Sequence, residues 1–279
     1  MAGEDRHEIR DFVERIYRTR TIPSMLGKIL AVTRNEKSSP QELFDLIAHD
    51  QALAGRVLRV ANSTMFGHSG EVRDLRHAVM FLGYERIRCI ALGMGVMDVF
   101  PGRNSLDVRD LWIHGYEVAY LSSIVSDTIS MAAPSESFLC GLLHDIGRVI
   151  FFEVDRARYY RVGAADDFLE REAALFGCTH AEAGGWYAEN AGLPEDVVLA
   201  IRHHHRPSAA KGNLLGVSIV AVAEAFSRRF RPRLIDDGVW TPEHDAIVLE
   251  LGIGEESLKA IRHKLYGLEY DIRAFFGEK

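Results

Sequence analysis

Apolar residues recur along most of the chain at the spacing of one helix face. Near the N-terminus, Ile9, Phe12, Val13 and Ile16 follow the i, i+3, i+4, i+7 pattern, which places their side chains on one side of an α-helix. The same period runs through residues 51–61, 75–83 and 84–97. No Asn-Gly pair with flanking alternation marks a β-hairpin. The pattern predicts an all-α protein, with a first helix within residues 1–20.

Local signals define where several of these helices begin and end. Ser39 precedes Pro40 and lies three residues before Glu42, which predicts a capping box with proline at the first helical position. Thr179 and Glu182 have the same spacing and predict a second box. Two further boundaries are predicted at Gly83, which ends a helix, and at Pro194, which opens one.

Two polar stretches divide the chain. The stretch FPGRNSLD, residues 100–107, clusters Pro, Gly, Asn and Ser between two periodic segments. We therefore separate a helical N-terminal half, residues 21–106, from a second half, residues 107–279, that includes the last helices. The stretch RRFRPRLIDDGVWTPEHD, residues 228–245, predicts a loop before those helices.

Composition restricts the class of protein. Of the 279 residues 47% are hydrophobic, so a large core is possible, and the net charge of −7 argues against nucleic acid as the main partner. Cys89, Cys140 and Cys178 have no CxxC spacing, which predicts reduced, packed thiols. The charged N-terminus and the shortness of the longest apolar stretch argue against a signal peptide and a membrane span. Together these features indicate a cytoplasmic protein.

His144 and Asp145 interrupt the apolar stripe of GLLHDIGRVIFF, residues 141–152. Burial of ionisable side chains is unfavourable unless they have partners or a ligand. Gly141 and Gly147 lie three residues to either side of His144, and each glycine inside a helix costs about 1 kcal/mol relative to alanine. We interpret the two glycines as open space around the imidazole. The stretch predicts a site inside a core helix.

Six of the twelve histidines lie between residues 114 and 205. They are His114, His144, His180, His203, His204 and His205. A lone buried histidine is more often a hydrogen-bonded core residue than a ligand, but here four predicted helices each place histidine at the edge of an apolar face. Asp110 lies four residues before His114 and shares its predicted face. Imidazole and carboxylate ligands suit Fe, Mn or Zn, so the pattern predicts one or two divalent ions.

Six stretches carry a wider pattern: IPSMLGKIL, DQALAGRVLRVANSTMFG, LRHAVMFLGYERIR, LWIH, FLCGLLHDIGRVIF and ALFGCTHAEAGGWYAENAGLPEDVVLAIRHHHRP. In order and spacing they resemble the HDOD (HD-related output domain) family, over residues 20–225. That family is similar to the HD superfamily of metal-dependent phosphohydrolases. The resemblance implies a helical N-terminal subdomain packed on an HD-like helical bundle, and a role in bacterial signal transduction.

The resemblance also implies roles for individual residues. It places metal ligands at His114, at the pair His144 and Asp145, and at Glu224, where the superfamily has aspartate. The additional ligands that it implies are His180, His204, His205 and Asp110. Arg148 stands where related cyclic di-GMP phosphodiesterases have lysine, and it would either clamp a phosphate oxygen or pair with Asp145. The stretch RPSAAKGN replaces their Gly-Tyr-Pro loop, which argues against cyclic di-GMP as a substrate.

Two functions stay open at this point. In the first, the chain is a regulatory module with a metal-binding centre, and it acts on a signalling protein partner. In the second, it is an active phosphohydrolase or phosphodiesterase, with Asp145 and Arg148 as its catalytic residues and a nucleotide or other phosphorylated small molecule as its substrate. We favour the regulatory module and leave turnover open.

Overall fold

The computed structural model describes residues 2–19, 24–35, 38–63, 72–100, 106–163, 167–230, 240–265 and 268–276. These residues form α-helices and contain no β-strand, which confirms the predicted all-α class. The first six helices are α1 (Ala2–Thr19), α2 (Ser24–Arg34), α3 (Pro40–Ala48), α4 (Gln51–Ala61), α5 (Leu75–Leu82) and α6 (Tyr84–Met97).

The second half of the chain contains the remaining helices. They are α7 (Leu106–Ile129), α8 (Pro134–Leu143), α9 (Ile146–Val154), α10 (Arg156–Tyr160), α11 (Phe168–Phe176), α12 (His180–Ala191), α13 (Glu195–His203), α14 (Leu214–Phe230), α15 (Pro242–Glu250), α16 (Glu255–Lys264) and α17 (Leu268–Phe276). A short 3-10 helix, Pro207–Ala209, connects α13 to α14. Among the described helices, none has both the length and the apolar character that a bilayer crossing needs.

The helix ends agree with most of the local signals. The capping box of Ser39 and Glu42 is present with Pro40 in the first turn, and the box of Thr179 and Glu182 begins α12. Gly83 ends α5 with a positive φ of 81°. The predicted helix at Pro194 begins one residue later, because the proline caps α13 from outside.

One apolar core joins the two halves of the molecule. α6 packs on α8, and a Cβ atom on Gly93 would lie 2.5 Å from Leu142. The predicted packing of an N-terminal helical subdomain on a helical bundle is thus confirmed. The boundaries at residues 20 and 106 stay a prediction; residues 101–105 of the predicted break lie outside the described ranges.

The loop predicted at residues 228–245 begins later and ends earlier than predicted, because the helices on both sides extend into it. α14 continues to Phe230, and α15 begins at Pro242, while residues 231–239 lie outside the described ranges. The three cysteines are buried and free, as predicted.

Gly141 and Gly147 do not leave open space, so that interpretation is wrong. A Cβ atom on Gly141 would lie 2.8 Å from the Cα of Ala119, because α8 packs closely on α7. A Cβ atom on Gly147 would lie 1.9 Å from the backbone carbonyl oxygen of His180. Each glycine permits close approach of a neighbouring backbone. The glycines therefore bring together the helices that carry the histidines.

Candidate metal centre

His144 and Asp145 lie at a helix junction and not inside one core helix, which corrects the prediction. α8 ends at Leu143 and α9 begins at Ile146. The apolar stripe continues across the junction, so periodicity alone does not reveal the break. Asp145 has φ −99° and ψ 16°, in the bridge region where many active-site residues are found.

The carboxylate of Asp145 is the centre of the arrangement. Its Oδ1 lies 3.1 Å from Nε2 of His180 and 3.6 Å from Nε2 of His204. Its Oδ2 lies 3.5 Å from Nε2 of His144 and 3.8 Å from Nε2 of His114. All five side chains are buried. We call these residues, together with His205, the His/Asp cluster.

Backbone carbonyl groups orient two of the imidazoles. Nδ1 of His144 lies 2.7 Å from the carbonyl oxygen of Gly141, and Nδ1 of His204 lies 2.9 Å from that of Ile201. Since a carbonyl oxygen only accepts, each Nδ1 carries the proton and donates. Each Nε2 then presents its lone pair to the cluster, which is the state that binds a metal ion.

Glu172 orients His180, and sequence reasoning missed this residue. Its Oε2 accepts from the backbone N–H of His180 at 2.8 Å and from Nδ1 at 2.7 Å. Glu172 is completely buried on α11. One signal was available: the glutamate lies four residues after Phe168 and four before Phe176, in the middle of the buried face of α11.

His205 forms the outer edge of the cluster. Its Nε2 lies 3.0 Å from Nε2 of His180, and its side chain is half-buried. The Phe168 ring lies 5.3 Å from the His205 ring and 6.0 Å from the His180 ring, measured between centroids. A cavity of about 410 Å³ is lined by His205, Arg202 and Arg206 among others. The cluster therefore reaches the surface on this side.

Arg148 pairs with the central carboxylate. Its Nε lies 3.3 Å from Oδ2 of Asp145, and its guanidinium carbon lies 5.1 Å from the centroid of Phe168. This contact agrees with the pairing role suggested by the sequence, and the role of Arg148 as a phosphate clamp stays a prediction.

The two remaining predicted ligands differ in position. Glu224 is buried on α14, and its carboxylate accepts a hydrogen bond from Arg228. One oxygen of this carboxylate and one ring nitrogen each of His144 and His204 all lie within 4.8 Å of one another. Asp110 is exposed on α7, and among the described residues it belongs to none of the groups whose ligand atoms converge. The structure thus brings Glu224 to the cluster but not Asp110.

Burial keeps two of the histidines neutral. It lowers the pKa of His144 to about 4, although nearby Asp145 acts in the opposite direction. Burial, together with the neighbouring His204 and His180, also lowers the pKa of His205 well below its usual value. Both imidazoles are therefore unprotonated at neutral pH.

Charged neighbours decide the state of the other two central groups. Burial alone would raise the pKa of Asp145, but Arg148 and the adjacent histidines hold it well below its usual value. Burial would lower the pKa of His180, but Glu172 and Asp145 together outweigh it and the pKa is raised to about 9. A metal ion must therefore displace a proton from His180 at neutral pH.

The residues fit a metal ion. Nε2 of His114 and Nε2 of His144 are buried and have no hydrogen-bond partner. Each such group costs about 1–3 kcal/mol if it stays unsatisfied. Several imidazole nitrogens around one carboxylate form a ligand set suited to Fe, Mn or Zn. The cluster can hold a metal ion.

Comparison with known proteins agrees with this arrangement. A model of the HDOD domain family matches residues 20–207. An uncharacterized protein of Treponema pallidum (strain Nichols) is 27% identical over 218 residues, which are 72% of this chain and 41% of that protein. Ribonuclease Y of Thermus thermophilus is 31% identical over 153 residues, which are 52% of this chain and 22% of that protein. The chain thus spans less than half the length of these two relatives.

The fold is shared with a solved structure. A candidate phosphohydrolase of Shewanella amazonensis superimposes on the chain with a TM-score of 0.74 at 23% identity. The superposition covers 95% of this chain and 97% of that one. The likeness therefore includes the N-terminal helices as well as the bundle that carries the cluster.

Proposed function

Because the chain belongs to the HDOD domain family, we propose that it is a bacterial signal-transduction module built around a metal centre. The proposed ligands are His114, His144, Asp145, His180, His204, His205 and Glu224. The metal is Fe, Mn or Zn.

The observation that carries the proposal is the convergence of imidazole Nε2 atoms on one buried carboxylate. His144, His180 and His204 each have Nδ1 against an acceptor, so their Nε2 atoms face Asp145. The Nε2 atoms of His144 and His204 present lone pairs, and that of His180 does so once it has lost its proton. A core built only for packing has no use for this arrangement, because buried polar atoms without partners destabilise the fold. A bound cation removes that penalty for all of them at once.

The location of the metal centre supports a regulatory role. His205 is half-buried, whereas the other six proposed ligands are buried. A bound ion would fasten residues from α7, α12, α14 and the turn after α13 to the α8–α9 junction, so its loss or gain would change how these helices pack. We place the module in the cytoplasm, in keeping with its three free thiols, and propose a signalling protein as its partner.

One observation favours a second candidate function, hydrolysis of a phosphoester. The cavity of about 410 Å³ reaches His205, and its guanidinium groups from Arg202 and Arg206 suit phosphate oxygens. A bound metal ion would supply Lewis-acid stabilisation of phosphate charge and activation of water. Arg148 would hold Asp145 ionised, and Phe168 would exclude water from the inner side of His205. A nucleotide or another phosphorylated small molecule is the proposed substrate. One of the relatives is named a ribonuclease, and a ribonuclease cleaves phosphodiester bonds.

The first experiment is elemental analysis of untagged protein purified without chelator. We expect at least one equivalent of Fe, Mn or Zn in the natural chain, and its loss in the double variant His144→Ala, Asp145→Ala. His203→Ala is the matched control, because His203 adjoins His204 but lies outside the converging groups. Equal metal content in the double variant and the natural chain would refute the proposed ligand set.

A second experiment separates the two candidate functions. The metal-loaded chain is assayed with bis(p-nitrophenyl) phosphate and with a panel of nucleotides. Turnover that the double variant lacks would favour the hydrolase, and metal without turnover would favour the regulatory module.

A further inference from the structure

Helix α1 lies outside the matched family domain, yet it packs on the part of the molecule that carries the cluster. The family match begins at residue 20, and α1 ends at Thr19. Ile9, Val13 and Ile16 on its apolar face are buried. The helices that receive this face are α12, α11 and α9.

α11 depends on α1 for its position. Among the described helices, α1 is the one against which α11 packs most extensively. α11 carries both Glu172, which is bonded to His180, and Phe168, which lies beside His180 and His205. A helix of nine residues has little stability of its own in water, so its place against the cluster rests on its neighbours.

Arg6 of α1 holds the turn that presents His180. Its Nη1 donates to the carbonyl oxygen of Gly177 at 3.2 Å, at the C-terminal end of α11. Its Nη2 donates to Oε1 of Glu182 at 2.9 Å, in the capping box of α12. One guanidinium group therefore joins the end of α11 to the start of α12, on either side of His180.

A second contact fixes α1 to α12. The guanidinium carbons of Arg6 and Arg10 lie 4.8 and 4.6 Å from the ring centroid of Trp186. A guanidinium group over an indole face is attracted to the negative face of the ring. Part of the polar attachment of α1 thus lies on the helix that begins with His180, and Arg158 of α10 adds a further part by pairing with Asp5 and Glu8.

We propose that α1 sets the metal affinity of the His/Asp cluster by holding α11 in the position where Glu172 orients His180. The inference rests on the proposed metal centre. Glu172 is a positioning residue: it bonds Nδ1 and the backbone N–H of His180, which turns Nε2 toward Asp145. A partner that draws α1 away would separate this carboxylate from His180 and weaken metal binding.

The test is a Co²⁺ titration of the metal-free full chain, followed by visible absorption. Glu172→Gln removes the charge that fixes His180 with little change of shape. The pair Arg6→Ala, Arg10→Ala removes the contacts of α1 with Gly177, Glu182 and Trp186 without touching the cluster. We expect each to weaken Co²⁺ binding by about 10–100-fold, the usual effect of losing a partner of a ligand, and to change the ligand-field spectrum. Circular dichroism and the melting temperature of the metal-free variants report on folding.

Matched controls remove the same charges elsewhere. Glu170→Gln takes an exposed carboxylate from the same helix, and the pair Arg73→Ala, Arg262→Ala takes two exposed guanidinium groups from other elements. We expect both controls to bind Co²⁺ as the natural chain does. If Glu172→Gln does not fold, the arginine pair decides the question alone.

The outcomes separate this inference from the proposed function. A natural chain that binds no Co²⁺ would overturn both. A natural chain that binds Co²⁺ with an affinity unchanged in Glu172→Gln and in the arginine pair would overturn the inference and leave the metal centre in place. Weakening in Glu172→Gln without weakening in the arginine pair would overturn the role that we assign to the arginine contacts of α1.

Discussion

The two halves of the molecule bury different kinds of side chain. Within the described residues of 24–100, Ser63 is the one buried polar side chain. From α7 onward, buried ionisable side chains are frequent: His114, Glu117, His144, Asp145, Arg148, Glu172, His180, His204, Glu224 and Asp271. Burial of such groups is unfavourable unless they are paired or bind a ligand. Burial in the first half therefore mainly stabilises the fold, whereas the second half buries ionisable groups, which destabilise the fold when unpaired, to form a binding site.

The largest effect that tests this comparison is expected in the apolar half. Leu92→Ala on α6 removes a completely buried side chain and should lower the free energy of unfolding by about 2–5 kcal/mol. Metal content per folded molecule should stay unchanged, as measured by urea unfolding beside elemental analysis. Met80→Ala, which alters an exposed side chain, is the control and should change stability by less than about 0.5 kcal/mol.

A loss of about 1–3 kcal/mol is expected from Gly147→Ala, in the half that carries the cluster. The added Cβ would lie 1.9 Å from the carbonyl oxygen of His180, so α9 and α12 must move apart. Metal binding should weaken together with stability, in contrast to Leu92→Ala. Gly55→Ala is the control, since its Cβ would meet only Arg59 at 3.8 Å. Normal Co²⁺ affinity in Gly147→Ala would show that the spacing of α9 and α12 is unimportant for the centre.

Between pH 6 and 8, a pH dependence should come from the second half. The pKa of His180 is raised to about 9, so the folded metal-free chain keeps a proton that the unfolded chain loses near pH 6.5. Stability from His180 is present below pH 6.5 and falls as pH rises toward 9, by up to about 1.4 kcal/mol per pH unit. Melting temperatures between pH 6 and 8 measure this slope, which Glu172→Gln should reduce.

Acid should act through His144 in the opposite sense. Its pKa is lowered to about 4, so its contribution to stability is present above pH 6.5 and is lost as pH falls through 4. Metal affinity should instead rise with pH up to about 9, because the ion displaces the proton of His180. Affinity for Co²⁺ that is flat from pH 6 to 9 would contradict this assignment of protons.

The smallest change of stability is expected for a ligand. His114→Leu replaces a buried imidazole whose Nε2 has no hydrogen-bond partner with an apolar side chain of similar size. The free energy of unfolding of the metal-free chain should change by less than about 1 kcal/mol, in either direction. Metal affinity should fall, as a Co²⁺ titration would show. A large loss of stability would mean that His114 belongs to the packing of the fold.

Local features of the fold were predictable from the sequence. The box of Ser39 and Glu42 depends on four consecutive residues, and the structure contains it where the sequence predicts it. Histidines at the edges of apolar faces likewise indicated the cluster before any tertiary contact was known. Such signals need only helical geometry, which a short stretch of sequence determines.

Features that depend on tertiary neighbours were not predictable. The purpose of Gly147 was misjudged because its neighbour, the carbonyl of His180, lies 33 residues along the chain in another helix. The break at Asp145 was hidden because the apolar period continues through Ile146. Asp110 shares a helix with His114, yet its side chain faces solvent, since spacing within α7 does not tell which neighbours surround each face.

Trp186 gives the molecule an optical reporter at the interface with α1. Indole emission depends on the polarity of its surroundings, and this ring is 9% exposed beneath two guanidinium groups. Departure of α1 would bring water to the ring and shift its fluorescence to longer wavelength. Trp112→Phe and Trp240→Phe would leave Trp186 as the sole emitter among the three tryptophans. Undocking of α1 could then be followed in real time, without a label, while a partner or a metal ion is added.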